Sequence, residues 1–265
     1  MANLRLYAVF GNPIAHSKSP LLHNYVFYKL GIDARYIRYH LETSDNFRDL
    51  FFNLNLSGAN ITLPFKESLI ESCDEIRGIA KEINAINTIV REDSKLIGYN
   101  TDATGFYQNI FKFNIKNALI IGAGGSAKAI AYILKENNIK VSIINRSEPN
   151  LKDFRIRGFE CHLSSEFKYQ DYQFDLVVNA TSSSINNVLP LSPSMLESIF
   201  RDSKIAFDLM YGKECKFLEL AKKSNLRVID GSKMLLYQAI FASSLFLNIN
   251  NEKISKAMSE IYNTD

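Results

Sequence analysis

The sequence has few cysteines, no long apolar run and no strong excess of either charge. Cys73, Cys161 and Cys215 are odd in number, far apart and without metal-ligand spacing. That excludes a disulfide framework or a zinc site and reads as free thiols of a reducing compartment. No stretch reaches the ~18 to 20 apolar residues that a membrane span needs. The longest candidate, MLLYQAIFASSLFL, is interrupted by Gln238 and two serines and reads as a buried helix. A net charge of +3 is too small to imply a broad surface for nucleic acid or membrane. The opening MANLRLYAVFGN has too short an apolar run for a secretory signal, so the glycosylation patterns at Asn60-Ile-Thr62 and Asn179-Ala-Thr181 carry no such meaning. Internal repeats, low-complexity tracts and charge blocks are absent as well. What remains is a chain of 265 residues, long enough for two cores, with the composition of a soluble globular protein. The expectation is a cytoplasmic monomer or homodimer acting on a small molecule.

Short apolar runs alternate with amphipathic segments. RLYAVFG, ARYIRYHL, GANITL, INTIVRE and KLIGYN read as strands. PLLHNYVFYKLG reads as a helix stopped by Gly31, and NFRDLFFNLNLSG as another, with Phe47, Leu50, Phe51 and Leu54 on one face. Alternation of strand and helix predicts a mostly parallel sheet covered on both sides. From Asn117 the pattern repeats more sharply, through ALIIGAGGSAKAIAYILKENN, KVSIINRS, DLVVNAT, KIAFDLMY and LRVID. The spacing predicts a second three-layer unit over about 102–231, followed by apolar helices that pack back on the first.

The turn IIGAGGSAKA lies between an apolar strand and a helix. Its glycines, Gly122, Gly124 and Gly125, permit a tight turn and a close backbone approach, and the helix then offers N–H groups to a pyrophosphate. Ala127 stands where the commonest form of this fingerprint has its third glycine. At the end of the next strand an acidic residue would accept from an adenosine ribose and repel a 2′-phosphate. Asn145-Arg146 stands there instead, neutral then cationic, which suits NADP.

Ligands in open α/β sheets bind beyond the carboxyl ends of strands. Uncommon polar runs fall at such ends here: HSKS, NITLPFK, NAINT and YNTD. Each has a plain structural account. The opening loop FGNPIAHSKSPLLHN is a strand-to-helix turn with Ser19 as N-cap before Pro20, and Asp102 with Thr101 caps the next helix. Their joint occurrence points to a pocket for a small, hydroxyl-rich acid. Lys66 is then the proton donor to a forming alkoxide and Asp102 the carboxylate that orients it. Ser17, Ser19, Thr62, Asn87 and Gln238 supply neutral partners.

Taken in order, GNPIAHSKSPLLHN, NITLPFK, AINTI, GYNTDATGF, GAGGSAKA, NRS, NATSSS and GSKMLLYQA resemble the shikimate dehydrogenase family over residues 10–239. The resemblance implies NADPH-dependent reduction of 3-dehydroshikimate to shikimate, a step toward chorismate. It implies a substrate domain from 1–101 plus 232–265 and a Rossmann-like NADP domain from 102–231. Ser17 and Ser19 would hold the substrate carboxylate; Thr62, Asn87, Asp102 and Gln238 would bind its hydroxyls, with Tyr211 nearby. Lys66 would be the acid/base, paired with Asp102. The cofactor would rest on Gly122, Ala123, Gly124, Gly125 and Ser126, on Asn145, Arg146 and Ser147, and on Gly231, with Leu209 and Met234 bordering the nicotinamide. No metal is implied. His16 and His23 suit a scaffold role.

Several positions depart from the family pattern. NATSxGM reads NATSSSI, with Ser184 and Ile185 for Gly and Met, so the loop near the nicotinamide is expected to differ in shape. Asn150 stands where a further basic residue is frequent, with Lys152 close by, and Lys213 and Lys216 stand where Pro and Thr are common. Two rival readings remain open at this point. One is a quinate/shikimate dehydrogenase using NAD, against which Arg146 and HSKS argue. The other is a non-enzymatic NADP sensor, which would be expected to have lost Lys66 or Asp102.

Overall fold

The computed structural model describes residues 4–212 and 215–262, so Lys213 lies outside the described residues. The chain divides into two units, Met1–Gly105 with Leu235–Asp265, and Phe106–Met234.

The first unit begins with β1 (Arg5–Gly11), α1 (Ser19–Lys29), β2 (Ala34–His40), α2 (Phe47–Asn53) and β3 (Leu56–Ile61). It continues with β4 (Glu75–Ile76), α3 (Ile79–Ile83), β5 (Thr88–Glu92) and β6 (Lys95–Tyr99), and α4 (Asp102–Ile110) follows. The sheet order is β2-β1-β3-β5-β6-β4. β1 runs parallel to β2 and β3, but β5 is antiparallel to both β3 and β6. That reversal is local in origin: only Asp93 and Ser94 join β5 to β6, Asp93 takes φ 55°, and so short a link serves antiparallel strands alone. Residues of β1 alternate between two buried clusters, Tyr7 and Val9 on one face, Ala8 and Phe10 on the other. The uninterrupted run LYAVF is thus a strand buried on both sides.

Two expected boundaries move. Ser19 is the first helical residue of α1 rather than its cap, and Ser17 Oγ instead accepts the Ser19 N–H at 3.3 Å. α2 ends at Asn53 because Asn55 adopts φ 48°, and Leu56, buried like the rest of its run, already belongs to β3.

The second unit contains β7 (Asn117–Ile121), α5 (Gly125–Glu136), β8 (Lys140–Asn145), α6 (Lys152–Ile156), β9 (Glu160–Leu163) and β10 (Leu176–Asn179). α7 (Pro193–Arg201), β11 (Ile205–Asp208), α8 (Lys216–Lys223) and β12 (Arg227–Ile229) complete its sheet. Every pairing is parallel, in the order β12-β11-β10-β7-β8-β9. This is the doubly wound order of dinucleotide-binding sheets. Its central strands are largely apolar, with Leu119, Ile120, Ile143, Val177 and Phe207 fully buried.

α9 (Ser232–Leu247) and α10 (Asn251–Tyr262) close the chain. Leu236, Ala239 and Ile240 of α9 pack with Ile254 and Met258 of α10 against Leu22 and Val26 of α1, so the terminal helices cover the first unit. Among the described residues no helix is long and apolar enough to cross a membrane.

Candidate active site

In the first unit the strand order reverses between β1 and β3, since the chain leaves β1 toward β2 on one side and returns to β3 on the other. The crevice beyond the carboxyl ends of such a pair is where open sheets bind ligands. Loops leaving β1 and β3 carry Ser17, Ser19, Thr62 and Lys66. The reversed β5 brings its amino end to the same edge, preceded by Asn87, and β6 delivers Asn100, Thr101 and Asp102 there.

Those side chains meet. Lys66 Nζ donates to Asp102 Oδ2 at 2.5 Å, with the two side chains only 11% and 9% exposed. Asn87 Nδ2 donates to Asp102 Oδ1 at 2.8 Å and to Thr101 Oγ1 at 3.0 Å. Asn87 Oδ1 accepts the Thr101 N–H at 2.7 Å and the Thr88 hydroxyl at 3.0 Å, which fixes the side-chain amide with its nitrogen toward the carboxylate. Behind it, Asn60 Nδ2 donates to Thr88 Oγ1 and to the Asn87 carbonyl, and Tyr36 donates to Asn60 Oδ1 at 2.6 Å. Asp102 does not cap its own helix. Asn100 Oδ1 takes the N–H groups of Asp102 and Ala103, and the Asp102 carboxylate faces Lys66.

Ser17 and Ser19 are both buried at the start of α1. Arg38 of β2 donates from Nε and Nη2 to the Ser17 carbonyl, at 2.8 and 2.6 Å, and so anchors the loop. Sequence reasoning missed Arg38, because nothing in strand spacing marks a side chain that reaches a neighbouring loop. Thr62 is half-buried. Gln238 is buried on α9 and donates to the Leu235 carbonyl at 2.9 Å, rather than joining the Lys66–Asp102 cluster. His23 is wholly buried, stacked on Tyr36 with ring centroids 4.3 Å apart and bonded through Nδ1 to Ser243 Oγ. Burial pulls its imidazole down to about 3. It is a neutral packing group.

In the second unit the order reverses between β7 and β10, and the glycine turn lies at that point, directly after β7. Gly122 takes φ 110° with its Cβ position against the Ala180 backbone, so only glycine fits there. At Gly124, by contrast, a Cβ would meet no atom within 4 Å, and no side chain caps α5 at that residue. An open cradle at an uncapped helix start fits a pyrophosphate. Gly125 is buried and opens α5 with Ser126, and Ala123 before it packs in the core of this unit. Asn145 ends β8 and donates to the Ser147 carbonyl at 2.9 Å, while Arg146 and Lys152 are exposed beside them. Leu209 and the half-buried Tyr211 follow β11. A Cβ on Gly231 would lie within 2.1 Å of the Leu209 carbonyl, and the Gly231 N–H donates to Met210. Met234 is buried in the same unit.

Similarity to known proteins covers both units. A family profile described as "Shikimate dehydrogenase substrate binding domain" matches residues 9–89, and "Shikimate / quinate 5-dehydrogenase" matches residues 106–211. A "Shikimate dehydrogenase (NADP(+))" from Helicobacter hepaticus is 50% identical over 97% of this chain and 99% of its own. One from Helicobacter pylori, strain P12, is 46% identical over 92% of each chain. The crystal structure of a Thermus thermophilus shikimate 5-dehydrogenase "in complex with NADP(H) and shikimate" matches with a TM-score of 0.82 at 28% identity, covering 97% of this chain and 99% of that one.

Proposed function

The chain belongs to the shikimate dehydrogenase family, and from that premise we propose how its residues divide the reaction. It is an NADP-dependent oxidoreductase that oxidises shikimate and, in reverse, reduces 3-dehydroshikimate on the route to aromatic amino acids. NADPH, when bound, supplies the hydride. Lys66 gives the proton that the forming alkoxide needs and recovers it in the oxidation direction. The observation that carries this reading is the short contact of Lys66 Nζ with Asp102 Oδ2, backed by Asn87 on the other carboxylate oxygen.

Each carboxylate oxygen has two lone pairs, so Asp102 holds the ammonium and Asn87 and still accepts from a substrate hydroxyl. Ser17 and Ser19 bind the substrate carboxylate on the loop anchored by Arg38. Thr62, Asn87 and Gln238 take the ring hydroxyls, and Tyr211 borders the substrate. The turn from Gly122 to Ser126 holds the pyrophosphate, Asn145, Arg146 and Ser147 hold the adenosine 2′-phosphate, Gly231 supports the cofactor, and Leu209 and Met234 border the nicotinamide. By this reading Met1–Gly105 with Leu235–Asp265 is the substrate domain and Phe106–Met234 the cofactor domain.

Absorbance of reduced nicotinamide tests the reading, with shikimate or quinate and with NADP or NAD. Rapid NADP reduction by shikimate in the wild type, reduced to background in Asp102→Asn, is the expected result. An Asp102→Asn enzyme turning over at the wild-type rate would remove the carboxylate from the mechanism.

A further inference from the structure

Ser184 stands where the family usually has glycine, and its hydroxyl reaches a carboxylate buried in the second sheet's core. Asp208, at the end of β11, is fully buried. Its Oδ2 accepts from Ser184 Oγ at 2.7 Å, from Asn179 Nδ2 at 2.8 Å and from the Cys215 thiol at 3.5 Å, while Oδ1 accepts the Met210 N–H at 2.8 Å. Asn179 also donates to Ser184 Oγ at 3.1 Å. A carboxylate taken out of water is tolerated only when its lone pairs are met by donors. A hydrogen bond to an ionised acceptor is also worth more than one between neutral groups. Ser184 supplies the shortest of these bonds, and with it the short helical turn Ser183–Asn186 is tied to the segment that begins at Leu209.

We propose that Ser184 is a positioning residue for the nicotinamide side of the cofactor site. Its hydroxyl pins the 180–187 segment to Asp208, and Asp208 in turn holds Met210, so Leu209 and Tyr211 on either side are presented in one arrangement. This rests on the assignment of Leu209 to the nicotinamide border made above. A glycine at the same place would leave the loop to other contacts; here a side chain does the work, and the neighbouring Ile185 is left 45% exposed.

The chain has no tryptophan, so binding is best read by calorimetry on the full-length protein. Two probes separate the ends of the cofactor: NADP, and adenosine 2′,5′-bisphosphate, which lacks the nicotinamide half. Ser184→Ala is expected to weaken NADP about five- to tenfold, the worth of one lost hydrogen bond, and to leave the bisphosphate within twofold. Ser184→Thr, which keeps the hydroxyl, is expected to bind both as the wild type does. Unchanged NADP affinity in Ser184→Ala overturns the proposal. So does an equal loss for both probes, which would mark general damage, or a loss in Ser184→Thr matching that in Ser184→Ala. Leu209→Ala tests the underlying assignment separately. If it leaves NADP affinity untouched, the nicotinamide-side reading falls and the Ser184 proposal with it. If Leu209→Ala weakens NADP while Ser184→Ala does not, only the Ser184 proposal falls.

Discussion

Asn100 takes over the helix cap that Asp102 would otherwise occupy. Its Oδ1 accepts the N–H groups of Asp102 and Ala103 at 3.0 and 3.3 Å, and its Nδ2 donates to the Ala85 carbonyl. The Asp102 carboxylate takes no part in this cap and faces Lys66.

Asn100→Ala is therefore expected to act twice. Loss of the cap and of the buried amide should cost about 1–2 kcal/mol of stability, read from a urea midpoint. Turnover should also fall, because the start of α4, which carries Asp102, loses the bonds that fix it. Asn100→Asp keeps the acceptor but loses the donor to the Ala85 carbonyl and buries a second carboxylate beside Asp102, so it should not restore the stability. Full turnover in a destabilised Asn100→Ala would show that the cap and the role proposed for the Asp102 carboxylate are independent.

Lys66→Ala removes the proposed proton donor without touching the groups assigned to the substrate carboxylate. A positioned acid or base is worth about 100- to 10,000-fold, so kcat should fall in that range while the KM for shikimate changes little. Wild-type turnover would take Lys66 out of the mechanism. A rise in KM with kcat preserved would make it a binding residue.

Arg146→Asp replaces an exposed cation with a charge that repels a 2′-phosphate. Affinity for NADP should drop about tenfold or more, the scale of a charge-assisted bond, and NAD should lose far less. Equal loss for the two cofactors would assign the 2′-phosphate to other residues. Lys152, exposed nearby, is then the first to examine.

His23 gives the first unit an acid-labile point. Burial holds its folded-state value at about 3, below the ordinary 6.5 of the unfolded chain. The unfolded state therefore binds the extra proton first. Stability from this group is fully present above about 6.5 and is lost as the pH falls from there toward 3, by at most about 1.4 kcal/mol per pH unit. His23→Phe loses the bond to Ser243 and starts less stable, but its unfolding free energy should slope less between pH 6.5 and 4 than that of the wild type. Parallel slopes in the two proteins would place the acid sensitivity elsewhere.

Much of this architecture was legible because local and global signals agreed. ALIIGAGGSAKA carries its strand, turn and helix in consecutive residues, and both apolar faces of LYAVF follow from an unbroken run. Lys66 and Asp102 stood out through the polar runs around them. The reversed β5 was not foreseen, because the strand–helix alternation elsewhere pointed to parallel pairing, although the two-residue link of Asp93 and Ser94 by itself demands an antiparallel pair. The capping role of Asn100 was missed for a related reason: Asn, Thr and Asp are all good caps, and sequence cannot rank three neighbours. Arg38 and the Asp208 cluster depend on side chains from different strands, a relationship that no local window contains.

The first unit is interrupted in sequence by the whole of the second. During synthesis Leu22, Val26 and Phe27 leave the ribosome early, yet the helices that cover them come from residues 235–262. Translation of the intervening 106–234 takes on the order of ten seconds. Throughout that interval the half that starts first carries an uncovered apolar face, while the half that starts later can already close. Until α9 and α10 emerge the nascent chain carries that apolar face uncovered, and a chain truncated just after Met234 would join a complete second unit to an uncovered first one.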